Sequence, residues 1–522
     1  MMKKKILSIF MITAILLSFA AALSAGPATA APETTEAEAR LLKPTVDYRG
    51  FTGAGKVTDG SYKTYAVGVS EATVAITATE DIGFLYLKFN HAPGDWVIST
   101  ATENSQHGLN GFIHEYVDVA GVHGDVRELI LTFPTGVELT ALSVYGKGSI
   151  PSDVQVWQPE CEKADLMLIS AHADDEQLYF SGIIPYYAAV RGLQVQVVFF
   201  TEHLEENMRW HERLDAIWIN GCRNYPVVSE FPDQLSYSLE AAYSNFAKKG
   251  YTEEQIVDWM ATLLRRFRPY AAVSHALDGE YGHGQHMAAV DALIRGADRA
   301  ADTSFVTEGY AAYDLPKLYV HSYEQNPIVL DWIDTPFDEL GGKTPFQLSQ
   351  DGYIAHDSQL IQYNDIKKRF YGTTLPVSHP EQITVKKASQ IAITEDPPQY
   401  YGLYRKADGV PDDVKKNDFL ENMYPLSTDT TTAPETTKAP ETVPVTSGEE
   451  TTVPASDTNA PTVPAETEKQ DDPAASSAQF PPLTHEKPHG TVFIVICSLL
   501  GGVALGAVLC IGIRKIRHCD NR

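Results

Sequence analysis

Between residues 163 and 321, short apolar runs alternate with segments long enough to form helices, and this alternation limits the fold more than any other feature. The predicted strands are 166–170, 194–200, 271–274 and 317–321. The predicted helices are 176–191, 209–220, 253–267 and 287–297. Strands that are apolar on both faces must be covered on both faces, and helical crossovers join parallel strands. The pattern therefore predicts an α/β fold in which helices cover both faces of a parallel sheet.

The region before this one has a different pattern, in which short β-type runs are separated by Gly, Asp and Pro. The runs are 72–79, 82–89, 112–119, 128–133, 141–145 and 154–157. Regularly spaced short strands without helical segments are typical of an antiparallel sandwich. We therefore expect two folded domains, an all-β sandwich at 45–160 and a Rossmann-like α/β domain at 163–426.

The N-terminus has the three parts of a secretory signal. Three lysines at 3–5 precede an apolar run to residue 25, and small residues follow it up to Ala30. This order predicts a signal peptide at 1–30, cleaved after Ala30, and a spacer at 31–44. The alternative is an N-terminal anchor that is not cleaved.

The C-terminal part predicts a tether. Residues 427–490 are rich in Thr, Pro and Glu, which indicates a disordered stalk. Residues 491–513 carry no charge and suffice for one transmembrane helix, with a basic cytoplasmic tail at 514–522. We therefore expect a single-pass protein of the cell membrane with its folded part outside, an arrangement that resembles Gram-positive surface proteins. The alternative is a sortase signal, although Pro-Leu-Thr-His at 482–485 departs from the usual motif.

Net charge and cysteine content limit the classes of function. The formal net charge of −27 repels phosphate backbones, so we expect no nucleic-acid partner. The five cysteines include no Cys-x-x-Cys pair, so a metal site would have to use His and carboxylate ligands. Cys161 and Cys222 could form a disulfide or remain free and buried.

The first polar cluster follows the predicted strand 166–170. It reads His-Ala-Asp-Asp-Glu at 172–176 and lies where a strand turns into a helix. Such a turn can direct His172 and Asp175 to one metal ion and leaves Asp174 free to accept a proton. The alternative is that Asp174 and Asp175 only cap the following helix.

The second cluster, at 278–286, follows the third predicted strand. It contains two imidazoles three residues apart, His283 and His286. Functional side chains of parallel sheets gather at the carboxyl ends of the strands, so the two clusters should meet. His172, Asp175 and His286 would then supply three N/O ligands and leave a fourth position open, as in catalytic zinc sites.

Both clusters resemble the signatures of one enzyme family. His-Ala-Asp-Asp-Glu at 172–176 and Gly-His-Gly-Gln-His at 282–286 look like the two motifs of the PIG-L/LmbE-like N-deacetylases. Arg-x-x-Glu at 209–212 and His-x-Ser-Gln at 356–359 resemble two weaker family motifs. The similarity spans about 165–423 and implies the Rossmann-like fold.

The resemblance implies a role for each matching residue. His172, Asp175 and His286 would bind one zinc ion per chain, although another divalent metal would also suit these ligands. Asp174 would be the general base, and His283 would stabilise the oxyanion and help to protonate the leaving amine.

The resemblance also implies substrate binding by Arg209 and His356. The alternative for Arg209 is an ion pair within a surface helix. The family's usual substrates contain N-acetylglucosamine, and the products are acetate and a free amine. We therefore expect an extracellular zinc-dependent N-deacetylase whose partner is an N-acetylated amino sugar or glycan.

Two departures from the family pattern accompany the shared motifs. Ala173 stands where the family usually has Pro, and Gly284-Gln285 stands where it usually has Pro-Asp. One alternative function is that of a zinc amidase for another acylated amine. The other is that of a catalytically inactive glycan-binding surface protein.

The region at 45–160 resembles the discoidin-like (galactose-binding-like) β-sandwich. The similarity rests on Val-Thr-Asp-Gly at 57–60 and Asp-Val-Gln-Val-Trp at 153–157. It implies a glycan- or surface-binding module, and the alternative is a purely structural sandwich.

Overall fold

The structure, a computed structural model, describes residues 37–203, 206–330, 334–359 and 399–423. The predicted signal peptide, stalk and basic tail lie outside these residues.

The predicted placement in the cell membrane is contradicted. Within the described ranges, none of the helices combines the length and the apolar character needed to cross a bilayer. The predicted spanning helix at 491–513 lies outside the described residues. The prediction of a single-pass membrane protein with an extracellular catalytic region is therefore corrected.

The described N-terminal region forms one antiparallel network of eight strands. The strands are β1 Thr45–Thr52, β2 Ala66–Thr77, β3 Phe84–Phe89, β4 Trp96–Ser99, β5 Asn104–His107, β6 His114–Asp118, β7 Glu128–Phe133 and β8 Val137–Tyr145. Their order is β5-β4-β7-β2-β8-β3-β6, and β1 pairs with β2 beside this path. The first residues of β2 pair with β8 and the last ones with β7, so β2 joins the two parts of the network.

The sequence predicts the central strands of this region but not the short or polar ones. It does not predict β1, β4 or β5, and β5 reads Asn-Ser-Gln-His without an apolar residue. Residues 154–157, predicted as a strand, lack strand structure, although Val154 and Trp157 are buried. The predicted spacer is described from residue 37, and there it forms a bridge between Leu41 and Tyr145 of β8.

The second sheet of the described residues has seven strands in the order β11-β10-β9-β12-β13-β15-β14. The strands are β9 Leu166–Ser170, β10 Val195–Phe199, β11 Val227–Val228, β12 Ala271–Ser274, β13 Lys317–His321, β14 Pro327–Val329 and β15 Tyr400–Lys406. The five strands from β11 to β13 are parallel, whereas β15 is antiparallel to both β13 and β14. The prediction of a parallel sheet is therefore correct for its centre, and the whole sheet is mixed.

Helices cover both faces of this sheet. They are α2 Asp175–Leu178, α3 Met208–Ile219, α4 Leu239–Lys248, α5 Glu253–Phe267, α6 Gly284–Ala301 and α7 Pro345–Ile354, and α1 Val119–His123 is a single turn after β6. Leu168 of β9 packs in one core with Leu214 of α3, and the next residue, Ile169, packs in another core with Leu293 of α6. The apolar strands thus have the two buried faces that their sequence predicts. Cys161 and Cys222 lie in these cores as free thiols.

The helix predicted at 176–191 is wrong as a single element. It is divided into α2 and a π-helical turn, Pro185–Val190. Gly182 between them has φ 95°, a value that glycine adopts at little cost and that no α-helix contains. Pro185 begins the second part, where its missing N–H costs no hydrogen bond.

The strand order places a crevice beside β9. The chain passes from β9 to β10 on one side and later returns to β12 on the other side. Loops that leave neighbouring parallel strands in opposite directions open a crevice at the carboxyl ends of these strands. Both polar clusters follow these two strands, so the topology brings them to the same crevice.

A half-buried histidine of the N-terminal β-region, residues 45–160, makes the stability of this region depend on pH. Burial lowers the pKa of His107 to about 4, with a further contribution from His123, and both imidazoles bond to the Ser105 hydroxyl. Since the pKa in the unfolded chain is about 6.5, the neutral form stabilises the fold fully above that pH. This stability is lost as the pH falls from about 6.5 towards 4. We expect His107→Gln to flatten the decline of the melting temperature over this range.

The matched control is His91→Gln, because the His91 side chain is 56% exposed. We expect this variant to keep the slope of the unsubstituted protein. An identical decline in His107→Gln and in the unsubstituted protein would contradict the prediction.

Candidate active site

The turn after β9 is held by its own side chains. The Ser170 hydroxyl donates to the His172 carbonyl at 2.9 Å, and the Asp175 carboxylate accepts from the His172 N–H at 2.9 Å. Asp174 lies between them with φ 124° and ψ −22°, a conformation that residues other than glycine rarely adopt. The turn fixes the directions of His172 and Asp175, and its backbone strain falls on Asp174.

Three side-chain atoms converge at the crevice. His172 Nδ1 lies 3.0 Å from Asp175 Oδ2, and His286 Nε2 lies 3.2 Å from each of these two atoms. All three side chains are buried. Adjacent ligands of a tetrahedral zinc ion, with bonds of about 2.0–2.1 Å, are about 3.3 Å apart. The structure therefore brings the three predicted ligands together with the spacing of a metal site.

The hydrogen bonds on the far side of each imidazole determine which nitrogen is free. His286 Nδ1 lies 2.7 Å from the Glu280 carboxylate, and His172 Nε2 lies 2.9 Å from the amide oxygen of Gln285. Both oxygens can only accept, so these two nitrogens carry the protons of the neutral rings. The lone pairs of His172 Nδ1 and His286 Nε2 then face the Asp175 oxygen, and three facing acceptors need a cation between them. This donor set fits zinc or a similar divalent metal.

The electrostatics of the three converging side chains favour a positive charge among them. Burial lowers the pKa of His286, but Asp175 and Glu280 outweigh it and raise the pKa to about 10. Burial raises the pKa of Asp175, whereas His286 and His172 hold it well below its usual range.

His275 lies close to the same atoms but is held as a structural residue. Its Nε2 accepts from the Ala171 N–H at 2.8 Å, and its Nδ1 lies 2.7 Å from Glu280. With both nitrogens engaged, His275 has no lone pair for a metal, although it lies within 4.8 Å of Asp175 and His286. The sequence analysis missed His275 and Glu280, and the position of His275 directly after β12 is the signal that could have identified it.

The proposed base and acid lie beside these ligands. The Asp174 carboxylate is 11% exposed and lies 3.4 Å from the Arg209 guanidinium. His283 precedes α6 and accepts from the Gln285 N–H through Nδ1 at 3.2 Å, so its Nε2 carries the proton. Burial, then His172 and His286, lower the pKa of His283 to about 3. A ring nitrogen of His283 lies within 4.8 Å of those of His172 and His286.

The two predicted substrate-binding residues differ in position. Arg209, at the start of α3, donates to the Ala173 carbonyl and so faces the turn that carries Asp174. His356 is fully buried, and its Nε2 lies 3.1 Å from the amide oxygen of Gln177. The structure thus places His356 inside the fold and only Arg209 directly at the turn.

The two weaker motifs meet through Glu212 and Ser358. Glu212 accepts from the Ser358 N–H at 2.8 Å and from its hydroxyl at 2.6 Å. The helix that carries Arg209 is therefore tied to the segment after α7.

Each departure from the family pattern has a contact that accounts for it. The Ala173 N–H donates to His203 Nε2 at 3.3 Å, and proline has no N–H to donate. A Cβ on Gly284 would lie 2.4 Å from the Ser238 carbonyl oxygen, so this position accepts only glycine. The amide of Gln285 donates to the Pro232 carbonyl at 2.8 Å, which turns its oxygen towards His172.

Two further polar residues reach the site from loops that the sequence analysis did not single out. His203 Nδ1 lies 2.8 Å from the Asp233 carboxylate, and the other oxygen of Asp233 lies 3.5 Å from His172 Nε2. Burial and then Arg209 lower the pKa of His203 to about 3, so this ring is neutral. Asp233 comes from a loop without periodicity or motif, and no sequence signal identifies it.

Gln285 gives a direct test of the metal site. We expect Gln285→Leu to weaken divalent-metal binding by about 10- to 100-fold, because His172 Nε2 loses the acceptor that orients the ring. Gln285→Glu keeps an acceptor and should bind metal at least as tightly as Gln285→Leu does. The measurement is a zinc titration against a competing chelator, and equal affinities in the unsubstituted protein and Gln285→Leu would contradict the prediction.

Comparison with known proteins places the site within a family. Residues 167–297 match the family model described as PIG-L: GlcNAc-PI de-N-acetylase. Two proteins of Saccharopolyspora erythraea are similar to this chain. Its 1D-myo-inositol 2-acetamido-2-deoxy-alpha-D-glucopyranoside deacetylase 1 is 32% identical over 168 residues, which cover 26% of this chain and 54% of the relative. Deacetylase 2 of the same name is 38% identical over 180 residues, which cover 29% of this chain and 63% of the relative.

Among solved structures, N,N'-diacetylchitobiose deacetylase from Pyrococcus horikoshii aligns with a TM-score of 0.27 and 14% identity, over 40% of this chain and 78% of that chain. The chain spans little more than half the length of the first curated relatives. Residues 167–297, which contain the three converging ligands, form a PIG-L family domain.

Proposed function

We propose that this protein is a metal-dependent N-deacetylase that hydrolyses the acetamide of an N-acetylated amino sugar to acetate and a free amine. The observation that carries the proposal is the convergence of His172 Nδ1, Asp175 Oδ2 and His286 Nε2 within 3.2 Å of one another, with Asp174 next to Asp175 in sequence. In the neutral tautomers that Gln285 and Glu280 favour, both imidazole lone pairs face the Asp175 oxygen, as the ligands of a metal site do.

The residues that would hold the metal are His172, Asp175 and His286. When bound, zinc lowers the pKa of a water molecule towards ~7 and polarises a carbonyl group. Other divalent metals can supply the same chemistry to histidine and carboxylate ligands.

Asp174 is the residue that would take a proton from the attacking water. It lies next to the proposed ligand Asp175 in sequence, at the turn after β9. The guanidinium of Arg209 at 3.4 Å favours the ionised form, which is the form that a general base needs.

His283 would act on the other side of the reacting amide. Its Nδ1 is occupied by the N–H of Gln285, so Nε2 presents a proton. A fixed N–H donor stabilises negative charge that develops on the carbonyl oxygen, and the proton that Asp174 takes from the water can then pass to the leaving nitrogen beside His283.

The substrate class rests on the relatives. The names of the two Saccharopolyspora erythraea proteins describe deacetylases of an acetamido sugar joined to inositol. We extend to this chain only the shared chemical element, a sugar that carries an acetamide. The β-region at 45–160 is proposed as a discoidin-like module, and the α/β region at 163–426 as the deacetylase domain.

The experiment is acetate release by the purified full-length protein with zinc, from N-acetylglucosamine, chito-oligosaccharides and an acetamido-glucosyl inositol. We expect Asp174→Asn to lower kcat by about 10²- to 10⁴-fold, because proton transfer loses its base, while bound zinc is retained. His286→Ala should lose both zinc and activity.

Asp278→Asn is the matched control, because this carboxylate is exposed in the loop after β12. It should keep full activity and metal content. Undiminished activity of Asp174→Asn, or no acetate from any substrate by zinc-loaded protein, would contradict the proposal.

A further inference from the structure

Two faces of helix α3 contact different parts of the protein. Arg209 and Glu212 point to the candidate active site, where they contact the Asp174 turn and Ser358. The residue before the helix, Asn207, and three helix residues, His211, Asp215 and Trp218, bond instead to the N-terminal β-region. The spacing of 207, 211, 215 and 218 is that of a single helix face.

The contacts of this second face extend along the whole helix. Asn207 donates to Asn90 at 2.9 Å, and Trp218 donates to the Ser152 carbonyl at 3.0 Å. The Tyr62 ring stacks on His211 with 4.4 Å between ring centroids. The β-region therefore contacts α3 from its first turn to its last.

Four side chains form a closed relay between the helix and the β-region. The amide oxygen of Gln155 lies 2.7 Å from His114 Nδ1, so that nitrogen carries the proton and Nε2 is free to accept. His211 Nδ1 donates to His114 Nε2 at 2.8 Å, and the Gln155 amide donates to Asp215 at 2.6 Å. The relay leaves α3 at His211 and returns to it one turn later at Asp215.

The relay is buried and neutral where it crosses between the two regions. His114 and His211 have no exposed surface, and burial holds the pKa of each well below its usual range. Asp215 additionally accepts from the Tyr62 hydroxyl at 2.6 Å and lies 3.5 Å from the Lys88 ammonium. Among the described residues, His211 Nε2 has no hydrogen-bond partner, so the network holds α3 through the Nδ1 bond of His211 and the bonds to Asp215.

We propose that the N-terminal β-region is a positioning element of the candidate active site, acting through the His211–His114–Gln155–Asp215 relay on α3 and thereby on Arg209. Arg209 is the residue through which the effect passes, because it holds the Ala173 carbonyl and the Asp174 carboxylate. The inference rests on the proposed function in so far as Asp174 is the base of the reaction.

The test uses three substitutions, two of which remove the same kind of contact from different elements. Tyr62→Phe removes one hydrogen bond between the β-region and α3. Tyr225→Phe is the matched control, because it also removes one hydrogen bond between the two regions, from the Ile113 N–H at 3.1 Å, and both partners of this bond lie outside α3. Gln155→Leu breaks the relay at its centre.

The first readout, hydrogen exchange of the amides of 207–219 in the full-length protein, does not depend on activity. Exchange there should be faster in Tyr62→Phe and Gln155→Leu than in Tyr225→Phe and the unsubstituted protein. Unchanged exchange in both Tyr62→Phe and Gln155→Leu would overturn the proposal, whether or not the protein hydrolyses any substrate.

The second readout is a double-mutant cycle on kcat with Arg209→Lys. Tyr62→Phe should lower kcat by about tenfold in the unsubstituted protein, since small misplacements of catalytic groups are costly, and should add little in the Arg209→Lys background. If Tyr62→Phe only reduced the amount of folded protein, the apparent kcat would fall by the same factor in both backgrounds. That result would also overturn the proposal. Absence of acetate release by the unsubstituted protein would reject the proposed function. The exchange measurement would still decide whether the β-region positions α3.

Discussion

The buried carboxylate of Glu280 is the interaction on which the rest of the site depends. It has 1% exposed surface and lies within 2.7 Å of imidazole nitrogens of His275, His286 and His321. These three rings come from the ends of β12 and β13 and from α6. A buried carboxylate is costly unless it is paired and hydrogen-bonded, so these elements can only assemble in the arrangement that supplies all its partners. The orientation of His286 towards the crevice follows from that requirement.

Helix α3 connects the candidate site to the N-terminal β-region. Its residues alternate between the crevice and the β-region according to the helical period, so neither face can move without the other. Glu212 adds a third connection, to Ser358 beyond α7. The site is therefore enclosed by segments that are far apart in sequence but share one helix. This arrangement differs from one in which a linker joins an accessory domain to the region with the candidate site, because here the two regions share buried hydrogen bonds.

The sequence predicts the parts of the structure that are set by local pattern. Continuous apolar runs predict β9, β12 and β13 closely, because strands with two buried faces have few other sequences available. The motif at 172–176 follows β9 directly and the motif at 282–286 follows β12 after a short loop, and together they contain the three side chains that converge at the crevice. The break at Gly182 is harder to predict, because the surrounding residues favour a helix and one positive φ angle decides otherwise.

Other features depend on contacts between distant segments, and no local sequence pattern predicts them. β15 pairs antiparallel to β13 although about eighty residues separate them, and register across such a distance is set by packing rather than by local sequence. Asp233 and Gln285 matter through single hydrogen bonds to His203 and His172. The replacement of a carboxylate by the Gln285 amide is understandable only once the Pro232 carbonyl is seen to fix its orientation.

The φ angle of 124° at Asp174 means that selection for stability and selection for a carboxylate favour different residues at this position. Glycine would occupy that backbone conformation at lower cost, so selection for folding alone favours losing the side chain. A lineage that no longer needed the carboxylate would gain stability by replacing it, and the change would be hard to reverse while stability was limiting. An aspartate in this strained position is therefore expected where its carboxylate has a use that outweighs the conformational cost.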